Sequence, residues 1–108
     1  MKIATDINAE TFYSIIEFLT KNGWKITVEY DERIFDKGID FDFYKLEKNE
    51  DIIYFAWCNW FEGEIKATTK ILNKIAKRFD FELNFGAAEY LQNSTIIEDM
   101  KPLLKFKK

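Results

Sequence analysis

Residues 51–79 read DIIYFAWCNWFEGEIKATTKILNKIAKRF, and the fold turns on where strand gives way to helix within them. The opening DIIYFAWCNW carries apolar side chains on both faces of an extended chain. That predicts a strand in the middle of a sheet. From Gly63 onward, in GEIKATTKILNKIAKRF, the period changes. Ile65, Thr68, Ile71, Leu72, Ile75, Ala76 and Phe79 fall on one side at helical spacing, and Lys66, Lys70, Lys74 and Lys77 on the other. This predicts an amphipathic helix beginning near Gly63.

The flanking segments complete the pattern. Upstream, IDFDFYKL alternates Ile39, Phe41 and Phe43 with Asp40 and Asp42, and WKITVEY alternates Trp24, Ile26, Val28 and Tyr30 with Lys25, Thr27 and Glu29. Both predict strands with one wet face. The charged loop DERIFDKG joins them, and EKNED forms the next turn. DINAETFYSIIEFLTKNG predicts a helix with Phe12, Ile15, Ile16 and Leu19 on one face. Asp6 and Asn8 are both candidates for its cap, and Gly23 for its left-handed end. Lys2 to Thr5 is a candidate edge strand. Downstream, FDFELNFG alternates again and predicts a strand ending at Gly86. Thr95 followed by Glu98 is a capping-box pattern for a short third helix, which Pro102 divides. The predicted order is (β)-α-β-β-β-α-β-α. This is a two-layer α+β domain, an antiparallel sheet of four to five strands with helices on one face.

Composition narrows the chemistry. A length of 108 residues suits one domain, and 47% hydrophobic residues suffice for one core. The amino-terminal MKIATDINAE lacks a signal-peptide pattern, and the apolar run Ile52 to Cys58 is far short of the roughly 20 residues of a membrane span. The single cysteine excludes an internal disulfide and fits a reducing compartment, so a cytoplasmic location is expected. Histidine is absent. Ser-His-Asp and Cys-His catalysis and a Cys/His zinc site therefore cannot be assembled from this chain. No phosphate-binding glycine motif occurs. The expectation is a non-enzyme without cofactor or metal.

Cys58 has no base to activate it and reads as a buried thiol. Trp57 and Trp60 lie three apart and so on opposite faces of a regular strand, one in the core and one free to bind. Glu62 and Glu64 flank Gly63, and as the first turn of a helix they would stabilise its dipole. The lysine row of the second helix reads as a solvated face. The KFKK terminus reads as a solvated end.

Charge is unevenly spread. Residues 29–64 hold Arg33, Lys37, Lys45 and Lys48 against eleven acids, a net −7 within a chain of net −3. The ordinary reading is solubility charge. A surface of that sign also repels nucleic acid and attracts a basic protein.

Residues 41–86, FDFYKLEKNEDIIYFAWCNWFEGEIKATTKILNKIAKRFDFELNFG, resemble the small α+β immunity proteins of bacterial toxin systems, including those of contact-dependent growth inhibition. The shared pattern is an aromatic strand running through a tryptophan and a GEI start into an amphipathic helix, then a strand ending in Phe-Gly. The resemblance implies an inhibitor that blocks the active site of a cognate toxin domain, many of which are nucleases with basic grooves. Its carboxylates would stand in for phosphates. The expected contacts are Asp31, Glu32, Asp36, Asp40 and Asp42, joined by Trp57, Trp60, Glu62 and Glu64. The alternative is a small-ligand or regulatory module with a pocket along the aromatic strand.

Overall fold

The structure, a computed structural model, describes residues 1–107. Strand β1 (Lys2–Ile7) leads into helix α1 (Ala9–Lys21), followed by strands β2 (Lys25–Tyr30), β3 (Phe41–Lys48), β4 (Asp51–Cys58) and β5 (Glu62–Ala67). Helix α2 (Thr69–Phe79), the short helix α3 (Ile96–Asp99), a 3-10 turn (Lys101–Leu103) and strand β6 (Leu104–Phe106) complete the chain. The strands form one six-stranded sheet in the order β1-β5-β4-β3-β2-β6, antiparallel throughout.

Local chemistry explains the helix ends. Asn8 is the cap of α1, its side chain accepting the Thr11 N–H at 2.9 Å. Asp6 instead adopts a left-handed φ of 60° where β1 slips register against β5. At the other end Gly23 has a φ of 92°, and the Trp24 N–H returns to the Leu19 carbonyl at 3.1 Å, closing a Schellman turn. Helix α2 starts with Thr68, whose hydroxyl accepts the Ile71 N–H.

The sheet carries a buried cluster on each side. Phe12, Ile15, Ile16 and Leu19 of α1 and Leu72 and Ile75 of α2 pack on one face, against Leu46, Ile53, Phe55, Trp57, Ile65 and Ala67. On the other face, Val28, Tyr30, Phe41, Phe43, Ala56 and Cys58, with Leu104 of β6, pack with Leu91 and Ile96 of the carboxy-terminal segment. Both faces of β4 are therefore apolar, as a central strand requires.

The sheet has six strands where four to five were expected, and other expectations are corrected with that count. The strand that starts at Asp51 ends at Cys58, and a further strand, β5, precedes α2. Ile65 and Lys66 thus belong to a strand, and helical spacing continued smoothly from β5 into α2 concealed the boundary. Residues 79–86 form no strand, and only Thr5 and Asn84 bridge. Asp80 takes a φ of 54° and turns the chain, and Phe81 and Leu83 drop their side chains onto the helical core instead. Lastly, the second face of the sheet is not left open as expected. It is covered around Phe41, Phe43, Ala56 and Cys58, and only Lys45, Glu47, Ile52 and Tyr54 toward the β3–β4 hairpin stay half-buried. Thr95 makes no side-chain cap bond, and α3 packs Ile96 on the side away from α1 and α2. Residues 104–106 form β6 against β2, while Lys108 lies outside the described residues.

Candidate functional site

The long β2–β3 connection, residues 31–40, and the β4–β5 turn, residues 59–61, emerge at the same end of the sheet, because Phe41 pairs with Cys58. Asn59 ties them together. Its N–H donates to the Asp40 carbonyl and its Nδ2 to the Asp40 carboxylate, each at 3.2 Å. This end exposes four large apolar side chains, Phe35 at 87%, Trp60 at 83%, Ile39 at 62% and Phe61 at 51%. Among them stand the carboxylates of Glu32, Asp36, Asp40 and Glu62. Isolated exposed apolar residues are common, but four on two joined loops make this end the candidate site.

The turn itself is built with strain. Glu62 pairs with Cys58 and has a φ of 62°, a conformation that Gly or Asn adopts more readily. The adjacent Gly63 does not serve that purpose. A Cβ there would lie 2.7 Å from the Phe12 ring and 2.8 Å from the Ile7 carbonyl, so Gly63 exists to let β5 approach α1. Cys58 is buried, and its sulfur accepts the Phe61 N–H at 3.2 Å, which further fixes the turn.

The β2–β3 loop is anchored by a buried carboxylate. Asp42 accepts hydrogen bonds from Tyr13 Oη at 2.6 Å, Lys37 Nζ at 2.7 Å, Tyr44 Oη at 3.0 Å and the Phe43 N–H at 2.9 Å. Burial, reinforced by the nearby Asp42 charge, pushes the Tyr13 and Tyr44 hydroxyls far above the usual phenol range. The Lys37 ammonium also sits 4.6 Å from the Tyr44 ring centre. Next in the chain, Gly38 has a φ of 74° and donates to the Phe41 carbonyl. Tyr30 donates to Asp36 at 2.9 Å. Burial first, and that carboxylate second, push the Tyr30 hydroxyl up to about 12.

The expected contact residues divide into two groups. Glu32, Asp40, Trp60 and Glu62 are exposed, and Asp36 is half-buried beside them. Asp42 is in the core, its charge satisfied by four donors. Asp31 is buried and forked by Arg33 at 2.5 Å, and that guanidinium lowers its carboxyl to about 2. Trp57 packs under α1 in the helical core. Glu64 does not open a helix. Its carboxylate lies in the sheet and accepts the N–H groups of Glu89, Tyr90 and Leu91 at 2.6, 3.2 and 2.9 Å, which pins the carboxy-terminal segment over the second face.

The charge asymmetry shrinks in the same way. Lys105 reaches Glu32 at 3.1 Å and Lys107 reaches Glu29 at 3.3 Å, so basic residues from the end of the chain answer acids of the middle. Among the described residues, Asp36, Asp40 and Glu62 keep carboxylates at the loop end with no salt-bridged partner. Sequence reasoning missed Phe35, Ile39 and Phe61 as part of this surface. The available signal was Phe35, an aromatic set inside the charged loop DERIFDKG. Ile39 reads in sequence as part of the following strand, and the neighbouring Ile34 packs against the second core cluster.

Along the aromatic strand, Ile53, Phe55, Ala56, Trp57 and Cys58 are all buried, while Tyr54 lines a cleft of about 370 Å³ with Lys66 and Leu91. Among the described residues, no three Asp, Glu or Cys side chains gather as a metal site, and no helix is long and apolar enough to cross a membrane. No family model, curated protein or solved structure matches the chain.

Proposed function

We propose that the chain is an immunity protein that neutralises a basic, nuclease-type bacterial toxin domain by non-enzymatic binding. The observation that carries this reading is the joined loop end, with Phe35, Ile39, Trp60 and Phe61 exposed among Asp36, Asp40 and Glu62. Aromatic anchors supply desolvated contact area, and flanking carboxylates complement Lys and Arg in a phosphate-binding groove. The contact set is therefore Glu32, Asp36, Asp40, Trp60 and Glu62 with the three additional apolar residues. Asp31 and Asp42 shape the loop from within, and Trp57 and Glu64 support it from the core.

The experiment is co-expression with the product of the adjacent gene. Survival of cells producing that toxin domain, together with a complex whose association slows as salt rises, is the expected result. A chain that rescues no neighbouring toxin and retains no basic partner contradicts the reading.

A further inference from the structure

A second site lies at the opposite end of the sheet, beside the β3–β4 hairpin. There the last turns of α1 and α2 and the start of β2 enclose a cleft of about 380 Å³. Phe18, Trp24 and Phe79 form its aromatic walls, with the Phe18 and Phe79 rings edge to face at 5.6 Å. Lys48, Lys74 and Arg78 stand at its rim against a single carboxylate, Asp51. The cleft is thus locally cationic in a chain whose net charge is −3.

The three cations are not equivalent. Lys48 donates to the Asn22 carbonyl at 3.0 Å and so closes the end of α1. Arg78 lies in the last turn of α2, where it offsets the helix dipole, and stacks 4.7 Å from the Phe18 ring centre. Lys74 serves neither purpose, and among the described residues it has no carboxylate within salt-bridge distance. An apolar, aromatic recess with a free ammonium at its edge is complementary to one kind of molecule.

We infer that this cleft binds a small amphiphilic organic anion, an aromatic ring system carrying one carboxylate or sulfonate. Its ring packs among Phe18, Trp24 and Phe79, and its anion meets Lys74 and Arg78. A pocket of this size that is apolar with a few convergent charged groups is the usual form of such a site. The inference is independent of the toxin-binding surface, which sits at the other end of the sheet.

Anilinonaphthalene sulfonate is the probe, titrated into the native full-length chain and followed by its own fluorescence and by energy transfer from tryptophan. Saturable binding is expected, weakened at least about tenfold by Lys74→Glu, with Arg78→Gln weaker than the parent as well. The uncharged analogue phenylnaphthylamine should bind less tightly than the sulfonate. Circular dichroism on each variant confirms that the native fold is present, and both side chains are exposed. Absence of saturable binding, equal binding by a folded Lys74→Glu chain, or equal binding of the uncharged analogue overturns the inference.

Discussion

The Lys37 ammonium lies 2.7 Å from the Asp42 carboxylate, and that buried pair fastens the β2–β3 loop to the sheet. Tyr13 brings α1 into the same network through the other carboxylate oxygen. Removing Asp42 leaves an ammonium and two hydroxyls without their acceptor. Asp42→Ala should therefore destabilise the chain by about 3–5 kcal/mol in urea unfolding. Tyr13→Phe should cost about 1.5–3 kcal/mol, because it removes one hydrogen bond to a charged group. Amide exchange in residues 34–41 should quicken in both variants more than in β4.

Alkaline pH attacks the same network. The Tyr13, Tyr30 and Tyr44 hydroxyls are raised above their ordinary value, chiefly by burial. A raised folded-state value gives stability that is complete below the unfolded value, about 10. It is then lost as pH rises toward the folded value, about 12 for Tyr30. Urea midpoints should hold up to about pH 9 and fall above about pH 10. Phenolate absorbance from these tyrosines should appear together with unfolding. Early ionisation of all five tyrosines in the folded chain would contradict the assignment.

Neighbouring positions at the start of β5 should respond in opposite ways. Gly63→Ala forces a Cβ against Phe12 and the Ile7 carbonyl and should destabilise by about 1–3 kcal/mol. Glu62→Gly relaxes a left-handed backbone and should stabilise by up to about 1 kcal/mol. The proposed function adds that the same substitution weakens toxin binding, since it deletes a surface carboxylate. Thermal unfolding and a binding titration on one preparation separate the two effects.

The carboxy-terminal segment should loosen selectively when its latch is cut. Glu64→Ala removes the acceptor shared by three consecutive N–H groups and should cost about 2–3 kcal/mol. Amide exchange at residues 89–91 should accelerate well beyond any change in α1. Uniform acceleration across the chain would show that Glu64 has no special hold on this segment.

Much of the fold could be read from residue order because its cues are local. The face of α1 and the two-sided burial of β4 follow from side-chain period alone. The alternation expected in β2 instead breaks at a register shift between Ile26 and Val28, which puts Trp24 and Ile26 on the helical side and Val28 and Tyr30 on the other. The β5–α2 boundary did not, since Ile65 fits both the strand that contains it and the helical face that follows. Residues 79–86 alternate like a strand, yet Asp80 turns the chain so that it meets the edge of β1 only at the Thr5–Asn84 bridge. For the candidate site, sequence reading named residues of both the β2–β3 loop and the β4–β5 turn, but it could not separate Asp40 from Asp42. Only tertiary structure brings Tyr13 and Lys37 to one carboxylate and leaves the other in water. The long-range pairing of Lys105 and Lys107 with Glu32 and Glu29 was equally invisible to a running count of charge.

The central claim is that the loop end grips a basic partner through Trp60. The most direct test is the affinity of the adjacent gene's toxin domain for the parent chain and for Trp60→Ala, by calorimetry in one buffer. Trp60 is exposed, so the substitution should leave thermal stability nearly unchanged. The account predicts a complex weakened by about 2 kcal/mol or more, the signature of an aromatic anchor. A folded Trp60→Ala chain that binds the toxin as tightly as the parent would contradict it.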